Sequence, residues 1–418
     1  MNARFPAAIA FALVLVASGS HCVCARNLIC DPRDHGALAD GQSKDTRAIQ
    51  AAIDKCAATG NGIVRLSAGK YLSAPLFLKS KVTLKFDSGA ILIGSHDTAD
   101  YQPMPGQPDT GRKVLALINA VDASDFAMVG QGTIDGDGKF WWKKYPEAGD
   151  RPRLLYFNRC KRIRVEGLTL MNSPSFHLVP ANSEDIVIEG LKILAPADSP
   201  NTDGIDPSAS RRVRIRRCHI DVGDDNIAIK SGHPDRNHPG AAAADIRISD
   251  CYFAHGHGLS IGSETNAGVR NVTVRNITFS GTDNGIRIKS PRGRGGEVSF
   301  IHYSNISMHN VRNAIVITGY YPERTIPPPG SDPGQRLTAT TPKFHHVTIR
   351  HLKSAEGKNA GKIVGLPESR LSNIVLKDVR ISADSGLVVR NAELHMRQVR
   401  ITVRKGVPID VQENAQVW

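Results

Sequence analysis

Three aspartates and one histidine stand in short, turn-like motifs in the middle of the chain. Asp203 lies in N-T-D-G, Asp224 and Asp225 lie in G-D-D, and His257 lies between two glycines. Taken singly, such residues are ordinary in turns. Carboxylates held close together repel one another, which raises the pKa of at least one and suits that group to donate a proton. These residues are therefore candidates for general acid and base catalysis, provided that the fold brings them together.

A repeated strand pattern can bring them together. The pattern recurs in nine segments, the first starting at Arg162 and the last at Glu393. In each segment apolar and polar residues alternate along a short strand, a polar break follows, and another apolar residue comes after the break. Strict alternation is typical of strands with one buried face, and repeats that must cover one another's apolar face form a solenoid. We therefore predict an all-β chain folded as a right-handed parallel β-helix. The alternative, an antiparallel sandwich, is disfavoured because hairpin turn signals are few.

Aligning the second strand of each repeat places the candidates in one column. The aligned apolar anchors are Ile205, Ile227, Leu259, Ile286 and Ile315. Two residues before the first four anchors stand Asp203, Asp225, His257 and Asn284. Equivalent positions on adjacent coils of a parallel stack lie about 4.8 Å apart. The first three of these residues should therefore form a vertical column flanked by Asp224, with Arg287 and Lys289 reaching in from the next coil.

The chain begins with the features of a secretory signal peptide. Arg4 precedes an apolar run over 5–18, and Val-Cys-Ala at 23–25 offers a small-residue cleavage site. The run is too short to span a membrane. We therefore expect residues 1–25 to be removed and 26–418 to form a single β-helix domain. The protein is expected to be secreted and extracellular, without membrane association, and to be a monomer.

A short helix is predicted over 46–58, ahead of the first coils. Its apolar face carries Ile49, Ile53 and Cys56. Asp45 or Ser43 can serve as its N-cap. The helix would cover the open end of the apolar stack, where exposed strand edges otherwise invite aggregation.

Cysteine usage is compatible with an oxidising compartment. After position 25 the cysteines are Cys30, Cys56, Cys160, Cys218 and Cys251. A disulfide between Cys30 and Cys56 would tie the first strand to the capping helix. Cys218 and Cys251 occupy equivalent places in neighbouring coils, either as a stacked pair of free thiols or as a disulfide.

The formal net charge of +13 favours polyanionic partners. Nucleic acid would fit this charge, but the chain shows no nucleic-acid-binding motif, and aromatic residues make up only 6%, which is low for base stacking. An acidic polysaccharide fits both the charge and the expected secretion. Most of the excess has a simpler origin, since basic residues such as Arg212 and Arg214 occupy outward strand positions.

Four motifs together carry a family resemblance. N-T-D-G, G-D-D, G-H-G and R-I-K, with D-H-G-A at 34–37 and G-T-I-D-G-D-G-K-F-W-W at 132–142, resemble the polygalacturonase (pectinase) family, glycoside hydrolase family 28, in order and spacing. The resemblance covers nearly the whole mature chain. It implies a right-handed parallel β-helix that hydrolyses α-1,4-galacturonosidic bonds of pectin and polygalacturonate with inversion and without a cofactor. The intact N-T-D and G-D-D motifs favour unsubstituted galacturonan.

The resemblance also implies roles for the residues of the column. Asp224 would act as the general acid that protonates the leaving oxygen. Asp203 and Asp225 would hold and deprotonate the attacking water. His257 would tune the protonation of the acid, and Asn201 would help to orient Asp203.

Substrate binding is implied for the remaining motif residues. Arg287 and Lys289 would bind the substrate carboxylate beside the scissile bond. Tyr321 matches the subsite tyrosine of the family, with Tyr320 as the other choice. Aspartates and a histidine in one column can hold a cation, but the two adjacent basic residues argue against a metal, so no metal site is predicted.

Other functions stay open at this stage. We expect endo attack, although an exo-galacturonosidase or a hydrolase of a substituted galacturonan would use the same residues. A pectate lyase would share the β-helix and the acidic substrate, but it works by calcium-assisted β-elimination and needs a calcium-binding acidic cluster. A non-catalytic β-helix adhesin would have no reason to hold three acids and a histidine in one column.

Overall fold

The computed structural model describes residue 1 and the ranges 28–232 and 241–418. The predicted signal peptide at 1–25 lies outside the described residues apart from Met1. No helix in the described part of the chain combines the length and apolarity that a membrane crossing needs.

Short strands make up most of the chain. The strands of the first coils are Leu28–Cys30, Asp40–Lys44, Gly62–Leu66, Gly69–Ser73, Leu76–Leu78, Val82–Phe86, Ala90–Gly94, Ile118–Val121, Ser124–Gly130 and Thr133–Asp135. Those of the middle coils are Leu155–Asn158, Lys161–Glu166, Thr169–Met171, Leu178–Ala181, Glu184–Glu189, Lys192–Leu194, Arg211–Arg216, His219–Asp221 and Ile227–Ser231. Those of the last coils are Ala243–Ala254, Leu259–Thr265, Val269–Ser280, Asn284–Lys289, Glu297–His309, Asn313–Thr318, Lys343–Val364, Leu371–Arg390, Ala392–Val403, Ile409–Val411 and Gln416–Val417.

Helices are few and short in the described ranges. The α-helices are α1 (Thr46–Ala58) and α2 (Lys139–Lys144). The 3-10 helices are Pro32–His35, Thr98–Tyr101, Ala148–Asp150 and Glu323–Thr325.

One apolar ladder runs through the repeated segments. Its buried, in-register members are Ile163, Ile186, Val213, Ile246, Val272, Ile301, Val347, Ile374 and Leu394. The pairing between coils is parallel throughout, and the largest sheet of the described residues has 26 strands. Alternation along each strand buries one face in the shared core and leaves the other exposed. The chain is therefore a right-handed parallel β-helix, the hand that parallel crossovers take, as the sequence predicts.

A second ladder carries the anchor residues. Ile205 pairs with Ile227, Ile227 with Leu259, Leu259 with Ile286, and Ile286 with Ile315, as the alignment predicts. The same ladder continues toward the N-terminus through Leu178, Leu155 and Ile118. Positions at a fixed offset from these anchors therefore stack on one face of the β-helix.

Helix α1 begins and ends where the sequence predicts. Ile49, Ile53 and Cys56 are fully buried and join the main core, so the helix covers that end of the stack. Asp45 occupies the N-cap position, but its carboxylate accepts from the backbone N–H groups of Leu38 and Ala39 instead of from the first turn of the helix. The capping role predicted for this side chain is therefore wrong.

The predicted disulfide is present, since Cys30 and Cys56 are bonded and join the first strand to α1. Cys218 and Cys251 are buried free thiols, and the backbone N–H of Cys218 donates to Cys251 Sγ at 3.5 Å. Of the two alternatives that the spacing left open for this pair, the structure shows the stacked thiols.

Candidate active site

The second ladder brings the predicted acids and the histidine together. Asp203, Asp225 and His257 each stand two residues before a paired anchor. The backbone follows the same register, because Gly204 N–H donates to the carbonyl of Asp225 at 2.9 Å and His257 N–H donates to that of Asp224 at 2.8 Å. Three consecutive coils thus present these side chains to one surface.

Asp225 is the most heavily bonded acid of the column. Its Oδ2 lies 2.9 Å from Lys289 Nζ, and its Oδ1 lies 3.2 Å from Arg287 Nη1 and accepts from Ser260 Oγ at 2.7 Å. Burial alone would raise the pKa of Asp225, but the charges of Lys289 and Arg287 outweigh burial and hold that pKa below its usual range. Its neighbours therefore favour the ionised form of Asp225 and fix the directions of its oxygens.

Asp224 and His257 form a hydrogen-bonded pair beside it. His257 Nδ1 lies 2.9 Å from Asp224 Oδ1, and the same oxygen accepts from the backbone N–H of Asp225 at 2.8 Å. The hydrogen bond to Asp224 is the main reason that the pKa of His257 is raised above its ordinary value. His257 Nδ1 and the backbone N–H of Asp225 therefore both occupy Oδ1 and leave Oδ2 as the other oxygen of Asp224.

Asn201 contacts a different acid from the one expected. Its Nδ2 donates to Asp224 Oδ2 at 3.4 Å, whereas the family resemblance suggests contact with Asp203. The cause lies in Arg151, whose fully buried guanidinium donates to Asn201 Oδ1 at 2.6 Å and to the carbonyl of Pro200 at 2.7 Å. Because this arginine holds the amide oxygen, the amide nitrogen faces Asp224.

Asp203 belongs to a second buried ion cluster that the motifs do not reveal. Lys230 Nζ lies 2.6 Å from Asp206 Oδ2 and 3.3 Å from Asp203 Oδ2. Burial, followed by repulsion from Asp206, raises the pKa of Asp203 well above its ordinary value. A raised pKa within the column is expected from repulsion between stacked carboxylates; it falls on Asp203, where burial is the larger cause.

Sequence reasoning missed Lys230 and Asp206, although the repeat held a signal for the lysine. Lys230 stands three residues after Ile227, as Lys289 stands three residues after Ile286. The two lysines therefore hold the same offset from their anchors, and extending the alignment by one position would have found the second cation.

Tyr321 faces the site, and Tyr320 does not. Lys289 Nζ lies 5.2 Å from the centroid of the Tyr321 ring, and the Arg287 guanidinium lies 5.9 Å from it. The Tyr320 hydroxyl instead donates to Asp332 Oδ2 at 2.7 Å and is buried within the following loop. Of the two tyrosines left open by the sequence, the geometry therefore places Tyr321 beside the cations.

Glu323 is a further residue that the sequence did not indicate. Its Oε1 accepts from Arg287 Nε at 2.7 Å. Glu323 begins the 3-10 helix Glu323–Thr325, which lies outside the ladder. Beside it opens a cavity of about 380 Å³ toward the C-terminal coils. The cavity is lined by His257, Asp283, Asn284, Arg287, Arg312, Asn313, Val316, Glu323 and Lys362.

The donor set suits proton transfer better than metal binding. Asp224, Asp225 and His257 each offer a ligand atom, and these atoms lie within 4.8 Å of one another. Both oxygens of Asp225 already accept from cations, so a divalent ion here would meet two positive charges. The pKa values of Asp203 and Asp225 are shifted in opposite directions, and a histidine is bonded to the neighbouring Asp224, which is an arrangement for general acid and base chemistry.

Sequence and structure comparisons point to one family. The profile of Glycosyl hydrolases family 28 matches residues 58–400. An endo-polygalacturonase of Pectobacterium parmentieri is 33% identical over 373 residues, which cover 84% of this chain and 88% of that protein.

Two solved structures extend this similarity. A hyperthermoactive exopolygalacturonase from Thermotoga maritima has a TM-score of 0.80 and 27% identity, covering 92% of this chain and 93% of that chain. A polygalacturonase from Erwinia carotovora ssp. carotovora has a TM-score of 0.69 and 30% identity, covering 94% of this chain and 97% of that chain. With the profile matched over most of its length, the chain belongs to glycosyl hydrolases family 28 and is a glycoside hydrolase.

Proposed function

We propose that this protein is a secreted, monomeric endo-polygalacturonase that hydrolyses α-1,4-galacturonosidic bonds of pectin and polygalacturonate with inversion. We further propose that 26–418 acts as one catalytic domain after removal of 1–25. One observation carries the proposal: Asp225, bonded to Lys289 and Arg287, adjoins the Asp224–His257 pair on one surface. A surface with both acids and cations can cleave a glycosidic bond and hold an anionic sugar.

Asp224 is assigned the role of general acid. Its Oδ1 is occupied by His257 and by the backbone N–H of Asp225, so the transferable proton belongs on Oδ2. Asn201 Nδ2 lies 3.4 Å from that oxygen and limits its orientation. In the reaction this proton passes to the glycosidic oxygen as the bond to the anomeric carbon breaks.

Asp203 and Asp225 are both assigned to act on the attacking water, each in a different role. The lowered pKa of Asp225 makes it a weak base but a fixed hydrogen-bond acceptor. The raised pKa of Asp203 makes it the stronger base once it is ionised. We therefore propose that Asp225 orients the water and that Asp203 takes its proton.

Carboxylate spacing supports this division. Inverting enzymes hold their two carboxyl groups about 6.5–9.5 Å apart, which leaves room for water. Oxygens of Asp224 and Asp225 lie within 4.8 Å of each other, so this pair does not supply the gap. We therefore propose Asp203, on the neighbouring coil, as the partner of Asp224 across the sugar.

Arg287, Lys289 and Tyr321 are assigned to the galacturonate unit beside the scissile bond. Both cations are paired with Asp225 and lie against the tyrosine ring, so their head groups have fixed positions. Endo attack is proposed because the 380 Å³ cavity, lined in part by His257 and Arg287, extends the site on its C-terminal side. The similar proteins include one named as an endo enzyme and one named as an exo enzyme. An exo-galacturonosidase is therefore the second candidate.

Digestion of polygalacturonic acid in EDTA tests the proposal. New reducing ends without unsaturated product, released first as a spread of oligomers, are the expected result. Monomer or dimer alone would replace endo with exo attack. Unsaturated product that appears only when calcium replaces EDTA would contradict hydrolysis. No cleavage by folded protein, with substituted pectins also intact, would favour an adhesin.

A further inference from the structure

Two arginines on the N-terminal side of the column form no side-chain hydrogen bond with the described residues. The guanidinium carbon of Arg153 lies 5.0 Å from the ring centroid of Tyr156 and 5.1 Å from that of Phe176. That of Arg112 lies 5.6 Å from the same Tyr156 ring. The Nε of each arginine is buried without a hydrogen bond, and neither guanidinium forms an ion pair with residues 28–232 or 241–418. Two positive charges therefore share one aromatic ring, and the carboxylates of Asp206 and Asp203 offset the charge of Arg153 only in part.

Two other arginines of the same region, Arg151 and Arg159, are paired. Arg151 donates to backbone carbonyls and to an asparagine, and Arg159 pairs with Asp122 at 2.7 Å. Burial and the neighbouring Arg112 lower the pKa of Arg153 to about 10, and burial lowers that of Arg112. Buried cations are normally paired or hydrogen-bonded, because desolvation and mutual repulsion otherwise oppose folding. An arrangement of this kind favours an anionic ligand.

The pair adjoins the proposed catalytic residues. Arg153 stands two residues before Leu155, and Phe176 stands two before Leu178, so both occupy the column that holds Asp203 on the following coil. Lys230 Nζ, which pairs with Asp203, lies 4.3 Å from the centroid of the Phe176 ring. The surface is therefore continuous from Arg153 to the proposed base.

We propose that Arg112 and Arg153 form a second carboxylate-binding subsite, for a uronate unit on the N-terminal side of the scissile bond. The inference rests on the proposed function, and it gives the substrate chain a direction along the β-helix axis. Arg287 and Lys289 hold one carboxylate on the C-terminal side of the acids, and the two arginines hold another on the opposite side. A guanidinium matches a carboxylate with two parallel hydrogen bonds, and the terminal nitrogens of these two side chains form no hydrogen bond with the described residues.

The test compares Arg153→Gln and Arg112→Gln with wild type on galacturonate oligomers of increasing length. For oligomers long enough to reach the subsite, KM should rise roughly tenfold or more while kcat changes little, since charge-assisted hydrogen bonds are lost. The shortest cleaved oligomer should be unaffected. Arg164→Gln is the matched control, because Arg164 is an exposed strand residue near Glu166. Arg153→Lys keeps the charge without the planar fork and should recover only part of the affinity.

A binding experiment separates the two proposals. Calorimetry measures the affinity for oligogalacturonate of the inactive Asp224→Asn variant and of the same variant with Arg153→Gln added. Oligomers whose carboxyl groups are reduced to alcohols serve as the uncharged probe. Weaker binding of the acidic oligomer alone supports the subsite. Equal loss for both probes, or unchanged affinity in both arginine variants, overturns it. Absence of hydrolysis by wild type would instead reject the proposed function. If Arg153→Gln does not fold, as judged by circular dichroism, Arg112→Gln decides the question.

Discussion

Lys289 Nζ lies 2.9 Å from Asp225 Oδ2, although 64 residues separate the two along the chain. Both side chains are only 4% exposed. The β-helix makes this contact possible, because Lys289 extends across one coil to reach an acid two coils away. The pair links stability with chemistry, since the charge that compensates for burial also keeps Asp225 ionised.

Replacing Lys289 with Met should destabilise the fold strongly. Asp225 would be left buried with only Arg287 as a cationic partner, and breaking a buried ion pair costs about 3–5 kcal/mol. Urea unfolding at pH 7 measures the change in the free energy of unfolding. Lys79→Met is the control, because the exposed pair of Lys79 with Asp54 contributes at most about 1 kcal/mol. Equal effects of the two changes would contradict the importance of burial.

The same pair gives a pH dependence with a definite sign. Asp225 has a lowered pKa in the folded state, so its contribution to stability is present above its unfolded pKa of about 3.9. The contribution is lost as pH falls below that value toward the folded pKa. Wild type should therefore lose more stability than Lys289→Met between pH 5 and pH 2, in urea unfolding at each pH. A larger loss in the variant would refute this linkage.

Replacing Lys230 with Met should move the acidic limb of the pH profile of kcat/KM to higher pH. The lysine opposes the rise that burial and Asp206 produce in the pKa of Asp203, and the proposed base must be ionised to act. Lys230→Arg keeps the positive charge and should leave the limb near its wild-type position. A uniform drop in rate with an unchanged pH profile would indicate a purely structural lysine.

Replacing Asp224 with Asn should lower kcat/KM by about 10²–10⁴-fold, the contribution typical of a general acid. Asp221→Asn is the control. Asp221 Oδ1 lies 2.7 Å from His255 Nδ1 in a similar bond, and this pair stands outside the column. Because the bond to Asp224 raises the pKa of His257, Asp224→Asn should also lower that pKa. NMR titration of the histidine ring protons measures the shift. An unshifted His257 would show that the pair is not coupled.

Removing the disulfide with Cys30→Ser and Cys56→Ser should lower the free energy of unfolding by about 3 kcal/mol, as expected for a loop closed over 26 residues. Activity at moderate temperature should persist, because the bond ties the capping helix and lies outside the catalytic column. Thermal unfolding and polygalacturonate digestion of the double variant check both parts. Lost activity in folded protein would connect the cap to the site.

The ladder residues of the site were predictable from the sequence. A fixed offset from Ile205, Ile227 and Leu259 was enough to stack Asp203, Asp225 and His257, because the parallel register repeats on every coil. Lys230 follows the same rule and was missed only because the alignment stopped short of it. Arg153 also keeps the offset, but from Leu155, an anchor outside the initial set.

Loop residues and side-chain partners were not predictable in this way. Glu323 and Arg112 lie outside the ladder, so no periodic position marks them. The partner of Asn201 depends on Arg151, which reaches the amide from 50 residues away. The carboxylate of Asp45 accepts from two backbone N–H groups of the preceding loop instead of capping the helix. The residue types at the start of a helix do not reveal such competing donors.

The anomeric configuration of the first product tests the central claim most directly. If Asp203 takes a proton from water on the face opposite Asp224, cleavage of an α bond must release the β anomer first. Proton NMR during the first minutes of galacturonate oligomer hydrolysis, before the anomers equilibrate, distinguishes the two. Early β anomer is the predicted result. Early α anomer would contradict the account, because it requires a covalent intermediate on one of these carboxylates.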